Sequence, residues 1–177
     1  MHLGDARELD KILPGLIGRA DLVVTSPPYG CEVGNPVKAN WGRGGDLCPS
    51  KARNYSGDKA NLGHARGKRY ATAMAEVYRG CRELLRPGGR LAVVTKNTRR
   101  KQGALDLASL TVSLAQQAGF SYVSHIIALH AAVRDGGLVS RPSFWQLTQV
   151  RRARQRGEPV HLVAHEDVSV FVRRAGQ

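Results

Sequence analysis

Asp21-Leu22-Val23-Val24-Thr25-Ser26-Pro27-Pro28-Tyr29-Gly30 joins a short β-branched run to two prolines and an aromatic residue. The run 21–25 is apolar without alternation and reads as a buried parallel strand. Pro27 and Pro28 lack backbone N–H donors and fix φ, so no strand or helix interior continues through them. A rigid turn therefore leaves the carboxyl end of the strand, the end at which open α/β sheets gather their ligands. The proline carbonyls are left to accept hydrogen bonds, and an exocyclic amino group is a donor of the right kind. Ser26 adds a hydroxyl, and Tyr29 adds a planar face on which a base can stack.

Upstream of this stretch, residues 6–13 read as a short helix with Asp5 near its start and Pro14-Gly15 as its stop. Residues 31–68 keep no period and form a basic loop insertion, unusually long for a compact domain and so a candidate for function. Its cations Lys38, Arg43, Lys51, Arg53, Lys59, Arg66 and Lys68 are candidates for a nucleic-acid backbone, with Trp41 and Tyr55 for stacking. Helical spacing of Ala73, Val77, Cys81 and Leu84 predicts a helix over 69–85, stopped by Arg86-Pro87-Gly88-Gly89. A second buried strand, 90–95, follows, with Lys96 and Asn97 leaving it on the ligand side. Leu107, Leu110, Leu114 and Ala118 predict a helix over 104–118 with Gly119 as its C-cap, and 122–129 reads as strand. Phe144 and Trp145 read as core, and the run 151–156 as a solvated helix end or a phosphate contact. Residues 160–172 read as one bent strand or two, interrupted by His165-Glu166-Asp167. Strands alternating with helices define an α/β domain, 1–177, with a largely parallel sheet.

Composition narrows the partners. The chain has 177 residues, 42% of them hydrophobic, enough for one domain with a real core. Lys and Arg number 27 against 14 Asp and Glu, a net charge of +13, which suits a polyanion. No apolar run is long enough for a membrane span and no leader precedes the structured sequence, so the expected location is the cytoplasm. Cys31, Cys48 and Cys81 are widely spaced and odd in number, so neither a disulfide framework nor a metal site is expected.

The stretch 21–30 resembles the catalytic motif of the amino-group DNA methyltransferases, which carry Asp, Asn or Ser, then Pro-Pro, then Tyr or Phe. Three companions strengthen the resemblance. Gly4-Asp5 is similar to the acidic turn beside the cofactor adenine, residues 84–91 to the helix, Pro-Gly-Gly turn and fifth strand, and 165–171 to the terminal antiparallel strand. The resemblance implies a Rossmann-like methyltransferase sheet, S-adenosyl-L-methionine as cofactor, and DNA as partner, within a restriction-modification system. It assigns catalysis to Ser26, Pro27, Pro28 and Tyr29, and cofactor contact to Asp5. The Ser form resembles the cytosine-N4 group; adenine-N6 DNA methylation, guanine-N2 RNA methylation and a catalytically incomplete nucleic-acid-binding remnant are the alternatives. One departure is plain. No Gly-x-Gly follows an apolar strand, since Gly42-Arg43-Gly44-Gly45 sits in the polar loop. The sheet is therefore expected to lack its first two strands and their glycine-rich cofactor loop. A second chain or a missing segment would supply them, and the chain alone would bind the cofactor poorly.

Overall fold

The computed structural model describes residues 1–28, 60–65, 67–100, 103–142 and 144–175. A 3-10 turn at Ala6–Glu8 and one α-turn, α1 (Leu9–Ile12), replace the continuous helix expected there. After a second 3-10 turn at Pro14–Leu16 comes β1 (Ala20–Thr25). The 3-10 turn Leu62–His64 leads to α2 (Gly67–Leu84) and β2 (Leu85–Thr95). Two short paired strands, β3 (Thr98–Arg100) and β4 (Gly103–Leu105), precede α3 (Leu107–Gln117) and β5 (Ser121–Leu129). A hairpin of β6 (Ala131–Arg134) and β7 (Gly137–Ser140), then α4 (Phe144–Gln155), lead to β8 (His165–Val172).

The core forms where helical and strand periods meet. In α2, Tyr70, Ala73, Met74, Val77, Tyr78, Cys81 and Leu84 recur at three- and four-residue spacing and are all buried. In α3, Leu107, Thr111, Leu114 and Ala115 do the same, with Asp106 accepting from Ser109 N–H (3.0 Å) as N-cap. These faces pack on Leu91 and Val93 of β2 and Phe171 of β8, and Phe120 joins the same cluster.

The main sheet has the order β1-β2-β8-β5. β1 pairs parallel with β2, and β8 pairs antiparallel with both β2 and β5. The mixed α/β class is thus as expected, though only one of these three ladders is parallel. Because β8 is antiparallel to both neighbours, β1, β2 and β5 point the same way, and their carboxyl ends share one edge.

Residues 86–89 are part of β2 and do not form a free turn. Ala20 faces Leu85 but Leu22 faces Arg90, so the Pro-Gly-Gly segment bulges from the ladder. Gly88, at φ +80°, donates its N–H to Arg173 O (2.7 Å), and Arg173 N–H donates to Gly89 O (2.9 Å).

Only one face of the sheet is covered by α2 and α3. β1 is parallel as expected but not buried: Leu22 and Val24 are 55% and 62% exposed, on the face opposite Val23 and Thr25. Register puts Ala92 and Val94, Val168 and Val170, and Ile126 and Ala128 on that same face. The result is an apolar surface across all four strands. Two further expectations fail. Residues 160–164 are not strand, since the ladder with β5 begins at His165. Phe144 is 71% exposed, because it starts α4 at the surface and does not enter the core. No helix among the described residues is long and apolar enough to cross a membrane.

Candidate active-site edge

The shared edge collects the ends of β1, β2 and β5 and the start of β8. At the end of β1, Ser26 is exposed, Pro27 buried and Pro28 half-buried, so the proline turn is anchored while the hydroxyl stays accessible. Tyr29 lies outside the described residues. So do Lys38, Arg43, Lys51, Arg53, Lys59 and Arg66; Lys68 is described and is exposed at the start of α2.

Asp5 is the N-cap of the first 3-10 turn, accepting from Arg7 N–H (2.9 Å). The Arg7 guanidinium also grips both carboxylate oxygens, with Nε at 3.0 and 3.1 Å, and donates from Nη2 to Ala60 O (3.1 Å). Hydrogen bonding to Arg7 holds the Asp5 carboxyl below its ordinary range, outweighing burial. Among the described residues no hydrogen bond or ion pair joins Asp5 to the Ser26 turn.

Beyond β2, Asn97 Oδ1 accepts from Leu107 N–H (2.8 Å) and Ala108 N–H (3.2 Å), which makes it a second cap for α3. Lys96 is placed differently. Its Nζ lies 3.4 Å from His130 Nδ1, and the Gln146 amide, set by its hydrogen-bond network, accepts from it at 3.2 Å while donating to Val163 O at 3.3 Å. His130 Nε2 lies 3.5 Å from Glu166 Oε1. Burial pulls the Lys96 ammonium below its ordinary range, partly opposed by the Glu166 charge. Glu166 shares the open face with Val168 and Val170, and Ser26 shares it with Leu22 and Val24 by alternation. Polar groups from all four strand ends thus crest the apolar face.

On the helix-covered face, His125 Nε2 contacts Asp167 Oδ1 (2.8 Å), and His165 Nε2 lies 3.9 Å from the same oxygen. Thr95 Oγ1, Ser169 Oγ and Asp167 Oδ2 are buried nearby without a hydrogen-bond partner among the described residues. Among those residues no three His, Cys, Asp or Glu side chains form a group that could hold a metal ion.

Sequence reasoning places Lys96 on the ligand side and His165-Glu166-Asp167 at a strand opening. It misses His130, whose one signal is its position directly after the apolar run 126–129. It also misses the hairpin β6–β7, although Asp135-Gly136 marks it. Asp135 (φ +50°) and Gly136 (φ +76°) are the two positive-φ residues of a tight hairpin turn. Arg141 N–H donates to His130 O (2.6 Å) and His130 N–H to Ala164 O (2.7 Å), which seats the hairpin base on the same edge.

No family model and no curated protein matches this chain. Among solved structures it is similar to TTHA0409, a candidate DNA modification methylase from Thermus thermophilus. The selenomethionine form superimposes with a TM-score of 0.55 at 20% identity, covering 98% of this chain and 52% of that one. The form complexed with S-adenosyl-L-methionine gives 0.54 at 21% identity, covering 99% and 55%. The likeness is one of fold, and this chain spans about half the length of the protein it matches.

Proposed function

We propose that this chain is the acceptor half of an S-adenosyl-L-methionine-dependent DNA methyltransferase acting on an exocyclic amino group, with cytosine N4 as the preferred target. The observation that carries the reading is the Ser26-Pro27-Pro28 turn at the carboxyl end of β1, on an edge shared with two other strand ends. An aromatic amine is a poor nucleophile because its lone pair is delocalised into the ring. Hydrogen bonds from its two protons to Ser26 Oγ and the Pro27 carbonyl would favour tetrahedral nitrogen and free that pair. The base must leave the duplex to reach this edge, with Tyr29 as its stacking partner. The basic loop 31–68 then holds the phosphate backbone.

The fold likeness to a protein crystallised with S-adenosyl-L-methionine supports that cofactor as methyl donor. Asp5, held by Arg7, is the residue of this chain that the reading assigns to the cofactor, and no Gly-x-Gly directly follows β1 or β2 in the sequence. The open apolar face and the outer edge of β1 support a second polypeptide segment that extends the sheet and brings the cofactor loop.

Ser26→Ala, assayed for labelled methyl transfer to DNA in the presence of the segment that completes the cofactor site, should abolish activity and leave the circular dichroism spectrum unchanged; full activity in this variant removes the reading. Calorimetry of the chain alone with S-adenosyl-L-methionine should show no micromolar binding. Binding at that level would mean that no second segment is needed.

A further inference from the structure

The segment between β5 and β8 has no part in the chemistry proposed above, yet it is the most one-sidedly charged stretch that the structure describes. Residues 130–164 hold six arginines, no lysine and two acids, Asp135 and Glu158. Glu158 is taken by Arg156 (2.9 Å), and Arg154 Nε donates to Val160 O (3.2 Å). Arg134, Arg141, Arg151 and Arg152 are exposed, and no hydrogen bond or ion pair among the described residues engages their side chains. Resting on the methyltransferase reading, we propose that the hairpin β6–β7 and α4 form an arm that docks duplex DNA, with these four arginines on its phosphates.

Three observations carry this. First, the cations are sorted by face. Register puts Arg134 opposite Gly137, and Arg141 follows two alternations along the same strand face. In α4, Ala153 is buried while Arg151, Arg152 and Gln155 are exposed, so the helix turns its basic side outward. Against these four cations the arm sets one acid outside an ion pair, Asp135 in the hairpin turn. Arginine is also the cation suited to phosphate, through its planar fork of donors.

Second, the two parts of the arm are fixed to each other. Lys96 Nζ lies 3.4 Å from His130 Nδ1 at the hairpin base and 3.2 Å from the Gln146 amide oxygen in the first turn of α4. Gln146 also donates to Val163 O, and His130 N–H to Ala164 O (2.7 Å). Lys96 thus clasps the arm to the end of β2. Arg151 and Arg152 lie about 8–9 Å along the helix from Gln146, so a rigid basic surface runs from the hairpin along α4.

Third, the position suits a duplex. The arm leaves from β5, three strands from β1 in the order β1-β2-β8-β5. Three strand spacings are about 14 Å, or about four base pairs of duplex at 3.4 Å each. DNA that gives a base to the Ser26 turn therefore reaches the arm within half a helical turn. A lipid surface fits less well, since Val133 and Leu138 are the only large apolar side chains of the hairpin that are more than half exposed, too few to anchor in a bilayer.

The test measures binding of the whole chain to a fluorescently labelled random-sequence duplex by anisotropy over a range of KCl. Arg134→Gln with Arg141→Gln, and separately Arg151→Gln with Arg152→Gln, should each weaken binding about 10-fold or more near 0.1 M salt. Each pair should also lower the slope of log K against log salt by about 2, one phosphate contact per arginine. Arg19→Gln with Arg86→Gln removes the same charge at the opposite edge of the sheet, and should change binding less than about 3-fold. All six residues are exposed, so melting curves should match wild type. If either arm pair changes DNA binding no more than this control, the arm is overturned while the Ser26 reading stands. If the arm pairs instead abolish binding to phosphatidylserine vesicles and leave the duplex at the control's level, the surface is a membrane site and the proposal falls. If the wild-type chain does not bind duplex DNA at all, the arm and the DNA reading fall together.

Discussion

Arg173, just past β8, donates from Nη1 to the carbonyl of Arg82 at 2.9 Å, across 91 residues of sequence. The same nitrogen reaches the carbonyls of Glu83 (3.3 Å) and Leu85. The last carbonyls of a helix have no partner within it, and here a cation from the terminal strand satisfies them at the end of α2. Arg173→Ala should therefore destabilise the chain by about 1.5–3 kcal/mol, the range for hydrogen bonds to charged groups. Urea denaturation measures this, and a midpoint within error of wild type would show that water replaces the guanidinium without cost.

Gly89 lies in β2, where that strand meets β1. A Cβ there would lie 2.8 Å from Arg86 O and 3.0 Å from Ala20 O, both backbone atoms held in the bulge. Gly15 has nothing within 4 Å of its Cβ position. Gly89→Ala should cost more than about 1 kcal/mol, whereas Gly15→Ala should be neutral or stabilise by up to about 1 kcal/mol through the unfolded chain. Equal melting temperatures for the two variants would contradict the bulge geometry.

Much of the fold can be read from periodicity, and the exceptions share a cause. α2, α3, β2 and β5 lie within a few residues of their expected positions; α2, α3 and β2 each have a repeating face that is buried, whereas β5, exposed along most of its length, is held by its ladder with β8. Leu22-Val23-Val24 reads as covered on both sides, yet one side is bare, since a strand pattern records what a residue is and not which neighbour the chain supplies. The hairpin escapes such a reading for the converse reason. Val133 and Leu138 are 74% and 69% exposed, so no core calls for them, and only the Asp135-Gly136 turn announces the hairpin. The Lys96–His130–Glu166 cluster joins three distant segments, and no local spacing encodes it.

Tyr78 links α2 to α3 and makes stability depend on alkaline pH. Burial pushes its phenol up to about 12, and a hydrogen bond with Thr111 opposes that rise. A raised native pKa means that the folded chain holds its proton where the unfolded chain releases it. The stability this gives is complete below pH 10 and is lost as pH rises through about 12. The loss should be on the order of 2–3 kcal/mol. Tyr78→Phe should remove this decline while costing the Thr111 bond at neutral pH. Denaturation at a series of pH values checks both signs, and a Tyr78→Phe curve parallel to wild type above pH 10 would rule the phenol out as its source.

The open face gives the sharpest separation between folding and assembly. Leu22 and Val24 are more than half exposed, so Leu22→Ser with Val24→Ser removes little buried area, and the chain's own stability should change by about 0.5 kcal/mol or less per site. On that face the same changes replace the apolar rim of β1, where a completing segment would extend the sheet. The double variant should bind less hydrophobic dye and associate less with itself in sedimentation velocity, because an apolar surface of this kind is an association site when bare. Its recovery of S-adenosyl-L-methionine binding, when mixed with a segment that restores binding to the wild-type chain, should fall sharply. Arg86→Ala is the control: it breaks the exposed ion pair with Asp21 Oδ1 (2.6 Å) at the same strand and should leave dye binding and assembly unchanged. A double variant that assembles as well as wild type would move the completing segment off this face.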